Sequence, residues 1–115
     1  MTADDLIGSW QCYEGDGIHG WDDRLLVFRK DADQMVLEIW VPRKNKENEP
    51  ELRLFGPYFV QCLSAPDKLI LLLEDKFKDE WNVWPKEGNT FMLTHPRSTA
   101  GITFYRRAPM PQRSA

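Results

Sequence analysis

The chain has 115 residues, 42% of them hydrophobic, with five tryptophans and a formal net charge of −3. That length fits one domain with a core of its own, and the aromatic content excludes extensive disorder away from the ends. A slightly acidic balance gives no electrostatic reason to expect a nucleic acid partner.

Thr2 and Asp5 make a T-x-x-D capping box, which predicts a single helical turn over residues 3 to 6. The run LIGSWQCY follows as a first strand, with Leu6, Gly8, Trp10 and Cys12 on one face by the period of two. Residues 15 to 20 then read GDGIHG, which matches G-x-G-x-x-G. A dinucleotide fingerprint needs a helix opening at the third glycine, and WDDRLLVF after Gly20 reads as a strand instead. The glycines are therefore expected to serve a turn. In the same loop His19 stands among Asp16, Asp22 and Asp23, a conceivable divalent-cation set that reads better as a solvated acidic turn; no metal and no cofactor are expected.

RLLVFRK at 24 to 30 is the second strand and QMVLEIWVP at 34 to 42 the third. PRKNKENEP is charged, carries two prolines and has no period, so it reads as a hairpin loop. ELRLFGPYFVQCL at 51 to 63 is the fourth strand, where Gly56-Pro57 implies a bulge or kink on an edge. Residues 64 to 84 admit two readings. Ser64 and Asp67 could cap a helix whose apolar face is Leu69, Leu72, Leu73, Phe77 and Trp81. Two strands, KLILLLE and EWNVW, fit the strand-like neighbours better and are the expected solution. PKEGNTFMLTH is a hairpin turning at Glu87-Gly88-Asn89, and ITFYRR at 102 to 107 is the last strand.

The expected fold is all-β: an eight-stranded antiparallel up-and-down barrel behind a short N-terminal helical turn, over residues 1 to 108, with 109 to 115 as a flexible tail. LILLL at 69 to 73 is far too short to span a bilayer, and no membrane partner is expected. The acidic start MTADD lacks a signal-peptide core, which points to the cytoplasm; a mature secreted or periplasmic domain whose leader had been removed would look the same. Cys12 and Cys62 are the only cysteines and form no C-x-x-C pair; buried free thiols or one disulfide across the barrel are both open.

Gly8 and Trp10 in GSW, with Arg106 in FYRR, resemble the lipocalin and wider calycin pattern. In that family a G-x-W tryptophan closes one end of the barrel against an arginine from the final strand. Arg106 is favoured over Arg107 because it alternates with Ile102 and Phe104. The chain is shorter than the usual member and has no T-D-Y motif. The resemblance implies a small apolar ligand held inside.

Strict alternation gives the inward set Trp10, Met35, Leu37, Ile39, Leu54, Tyr58, Val60, Leu71, Trp81, Val83, Phe91, Leu93 and Phe104. From Leu37, Ile39, Leu54, Tyr58, Val60, Leu71, Trp81, Val83, Phe91 and Leu93 the ligand wall is expected. The alternative is a barrel filled by its own side chains. Apolar residues also fall on outward positions, which suggests a homodimer or a protein interaction module. Neither cysteine can be paired with a histidine and no acid–base pair stands out, so a non-enzymatic binding role is expected.

Overall fold

The computed structural model describes residues 1–15, 24–74, 76, 78–96 and 101–109. These residues form a short helix, α1 (Ala3–Leu6), and eight strands: β1 (Gly8–Glu14), β2 (Leu25–Asp31), β3 (Gln34–Lys44), β4 (Pro50–Ser64), β5 (Leu69–Leu73), β6 (Glu80–Lys86), β7 (Thr90–Thr94) and β8 (Thr103–Ala108). Each strand pairs antiparallel with the next, and β8 pairs back onto β1 to close the barrel. The fold is the expected all-β meander behind a helical turn. Residues 64 to 84 resolve into two strands because β4 and β7 each need a hydrogen-bonded neighbour: Leu71 lies opposite both Cys62 and Trp81.

Leu6, Trp10, Cys12, Leu26, Phe28, Leu37, Leu71, Val83, Phe91, Leu93 and Tyr105 form a continuous interior with their neighbours. A second, smaller cluster of Leu25, Val27 and Trp40 lies on the outer face of β2 and β3, with Leu54 and Ala108 packed against it. This explains why LLVF in β2 is buried on both faces.

The expected closure of one end is present, with a different arginine. Arg107, not Arg106, lies over the Trp10 ring at 4.0 Å. The β1–β8 register decides this, since Trp10 is opposite Arg107 while Arg106 is opposite Gln11 on the outer face. Arg107 Nη1 donates to the Ile7 carbonyl at 2.7 Å and Nη2 to that of Asp5, while Trp10 Nε1 donates to the Leu6 carbonyl at 2.8 Å. Three carbonyls that end α1 without intrahelical partners are thus satisfied. Gly8 makes this possible. Its φ is +126°, and a Cβ there would sit 2.5 Å from Arg107 Nη1.

Two departures from strict alternation follow from local geometry. The β3–β4 ladder shifts between Leu37 and Ile39, opposite Gly56 and Pro57, so Tyr58 faces Leu37 but Phe55, not Leu54, faces Ile39. Gly56 takes φ +98°, and a Cβ there would come within 3.0 Å of the Tyr58 nitrogen and 3.1 Å of the Leu37 carbonyl oxygen. The one-residue insertion turns Leu54 outward onto Trp40. Phe104 is also outward, beside Tyr13 with ring centroids 6.3 Å apart. The hairpin of β3 and β4 is longer than its charged sequence suggests, leaving only residues 45 to 49 as loop.

Candidate functional site

The interior is not uniformly apolar. At the end opposite the Trp10–Arg107 closure, where β1 and β7 end and β2 and β8 begin, four polar side chains are buried: Arg24, His95, Thr103 and Tyr105. Their positions follow from the ladders. Cys12 donates its backbone N–H to the Arg24 carbonyl at 3.0 Å, and Cys12 is opposite Tyr105 in β8. Arg24 shares the inward parity of Leu26 and Phe28, so its side chain enters the barrel.

Inside, Arg24 Nε donates to the Tyr105 hydroxyl, and Thr103 Oγ1 donates to the same oxygen at 3.4 Å. The guanidinium carbon stands 5.2 Å from the centre of the Trp81 ring and 5.6 Å from that of Tyr105. Both are cation–π distances, each worth on the order of 1–2 kcal/mol where water is excluded. The His95 imidazole meets the Trp81 ring edge-on at 5.2 Å. Tyr105 in turn packs on Phe91 at 5.1 Å, and Phe91 on Trp10 at 4.7 Å, which links this cluster to the closed end. Burial pushes the Tyr105 phenol above its ordinary 10.0, against the opposing pull of the Arg24 charge. Tyr105 is therefore a neutral hydrogen-bonding group at physiological pH.

Of the expected wall residues, Leu37, Val60, Leu71, Trp81, Val83, Phe91 and Leu93 fall in one interior cluster with Trp10. Ile39 packs against that cluster and remains half-buried; Tyr58 is half-buried opposite Leu37. Leu54 faces the other way. Inward-facing Phe55 is 39% exposed. One side of this upper layer is thus the polar cluster, and the other is the incompletely covered inner face of β3 and β4.

No protein-family model and no curated protein sequence matches the chain.

Arg24, Thr103 and Tyr105 are absent from the sequence-derived inward set. Arg24 was legible, since counting back by two from Phe28 and Leu26 reaches it. Thr103 and Tyr105 were hidden by Ile102 and Phe104, which are more apolar yet lie outside.

The pairing also decides the reading of the glycine motif. β1 and β2 are antiparallel, which is incompatible with the parallel βαβ unit of a dinucleotide fingerprint. His19, Asp16, Asp22 and Asp23 lie outside the described residues. Cys12 is buried and Cys62 partly buried, both as free thiols; burial pushes the Cys62 thiol above its ordinary 9.0. Cys62, Met35 and Val60 also line a surface cleft of about 440 Å³ near α1, rimmed by Asp4, Lys30 and Glu74. Lys30 and Asp4 pair across it at 2.8 Å.

Proposed function

We propose that this chain is a non-enzymatic, lipocalin-like binding protein that takes a small, mainly apolar ligand into the upper layer of its barrel. The observation that carries the reading is the buried Arg24–Tyr105–Thr103 cluster in an otherwise apolar interior. Desolvating a guanidinium costs several kcal/mol, and apolar replacements of buried charges are often neutral or stabilising. A fold selected only for stability has little use for an arginine here. The half-buried Ile39 and Tyr58 and the exposed Phe55 supply apolar surface for a guest on the facing wall. Trp81, which touches the cluster, is the built-in reporter.

The test is a titration with the neutral dye N-phenyl-1-naphthylamine, following dye emission and tryptophan quenching. Saturable uptake near one dye per chain, reduced by Phe55→Asp and Ile39→Asp, supports the reading. Absence of uptake with unchanged tryptophan emission leaves a barrel filled by its own side chains.

A second reading has its own observation. On the outer face of β4 and β5, Leu63 lies opposite Ile70 and is 42% exposed, and Phe59 on the same face is 46% exposed. Such apolar surface suits self-association into a homodimer. Light scattering at micromolar concentration decides it: a monomer that stays monomeric sinks the reading.

A further inference from the structure

We infer that the cleft of about 440 Å³ beside α1 is a second binding site, for a small organic cation: an alkylammonium whose head meets the Asp33 and Glu74 carboxylates and whose chain lies on Met35 and Val60. The cleft belongs to the closed end, where Arg107 holds the Asp5 and Ile7 carbonyls around the end of α1, and its occupancy does not depend on the ligand layer proposed above. Its volume falls in the range of pockets for small organic ligands, about 300–1,000 Å³.

Charge selects the ligand. Asp4, Asp33 and Glu74 line the cleft against Lys30 alone, so carboxylates outnumber ammoniums three to one. Lys30 is already engaged. Its Nζ lies 2.8 Å from Asp4, and its pKa is held above the ordinary 10.5 first by that hydrogen bond and in smaller part by the charge of Asp33. The rim thus already receives one ammonium on a methylene stem, and Asp33 and Glu74 supply the charge left over. An anion would be repelled by this surplus, and a neutral guest would gain nothing from it. Among the described residues no three His, Cys, Asp or Glu side chains stand together as a metal-ion set, so the surplus suits an organic cation rather than a bare divalent ion. The floor sets the rest of the molecule. Met35 and Val60 are buried members of the interior cluster, and an unbranched methionine adapts its shape to a flexible apolar chain. Cys62 packs on the same cluster and also lines the cleft, which places a thiol at the site as a reporter.

The experiment treats the full-length protein with two thiol reagents of opposite charge, trimethylammonioethyl and sulfonatoethyl methanethiosulfonate. Rates at Cys62 are read by peptide mass, so that buried Cys12 is counted separately. Burial of the Cys62 thiol slows both reagents alike, and their ratio therefore isolates the charge of the cleft. Relative to the urea-unfolded chain, the cationic reagent is expected to be favoured at least about tenfold at about 20 mM salt, and less at about 500 mM. Asp33→Asn combined with Glu74→Gln, both at exposed positions, should bring the ratio to within about threefold of the unfolded chain. Pentylammonium should protect Cys62 from the neutral reagent iodoacetamide with a midpoint below about 10 mM, and pentanoate, its anionic counterpart, should not. A charge ratio equal to that of the unfolded chain, one that the double substitution leaves unchanged, no protection by pentylammonium, or protection by pentanoate overturns the cation site, whatever the dye titration shows for the barrel.

Discussion

Arg106 and Arg107 are identical in chemistry and adjacent in sequence, yet they sit on opposite faces of β8, which makes a controlled comparison. Arg107→Ala removes two charge-assisted bonds to the Asp5 and Ile7 carbonyls and the contact over Trp10 at 4.0 Å. A hydrogen bond to a charged group contributes about 1.5 kcal/mol at the low end. A cation–π contact with one face in water adds about 0.5–1 kcal/mol. Water can replace part of each bond, because the Arg107 side chain is solvent-exposed, so the net loss expected is about 2 kcal/mol. For a domain of this size that corresponds to a fall in Tm of about 8 °C. Arg106→Ala removes only a 5.8 Å contact with the exposed Tyr13 ring and should stay within about 0.5 kcal/mol of wild type. Arg107→Lys should recover less than half of the loss, because one ammonium cannot span both carbonyls as a fork does. Urea unfolding followed by tryptophan emission and far-ultraviolet circular dichroism measures all three variants. A loss at Arg106 equal to or greater than that at Arg107 would refute the closure described here.

Three other outcomes are expected. Gly56→Ala places a Cβ near two backbone atoms at φ +98° and should cost about 1–3 kcal/mol, read from the urea midpoint, whereas Gly88→Ala has open space around its Cβ and pays only for φ +74°, so it should cost less. Tyr105 has its folded pKa raised above 10.0 by burial, so its contribution to stability is complete below about pH 10 and drains away as pH rises toward the folded value. Cys62 has the same sign from 9.0 upward. The urea midpoint should therefore fall from about pH 9 upward, and Tyr105→Phe should flatten the part above about pH 10; a midpoint that rises contradicts the burial of the phenol. Thiol titration in denaturant without reductant should find two free thiols per chain, and native Cys62 should alkylate more slowly near pH 8 than a small-molecule thiol.

The sequence carried the strand order, because turn chemistry separates the strands and a meander of eight pairs its last strand with its first on closing. It also carried the division of residues 64 to 84 into two strands, through the pairing needs of β4 and β7. Which side chains point inward was legible only where the ladder is regular. Period-two counting from Val60 fails at Leu54 because one extra residue is inserted at Gly56-Pro57, and nothing in hydropathy registers an insertion. In β8 the rule that apolar residues lie inside selected Ile102 and Phe104, although Ile102 is 48% exposed and Thr103 and Tyr105 are buried. The interior accepts a threonine and a tyrosine there because Arg24, just before β2, donates to the Tyr105 hydroxyl and Thr103 donates to the same oxygen. That contact spans 81 positions in the chain, so no local window could reveal it.

The long fourth strand has an effect on the molecule's behaviour in a crowded solution. β4 meets β5 only from Val60 onward, so among the described residues its stretch from Pro50 to Tyr58 has a ladder on one side and none on the other. The cylinder therefore keeps a short selvedge here along which a foreign strand could zip. Pro50 and Pro57 lack the N–H such zipping requires, and Glu51 and Arg53 bring charge to it. These prolines and charges are what keep neighbouring molecules from adding to it.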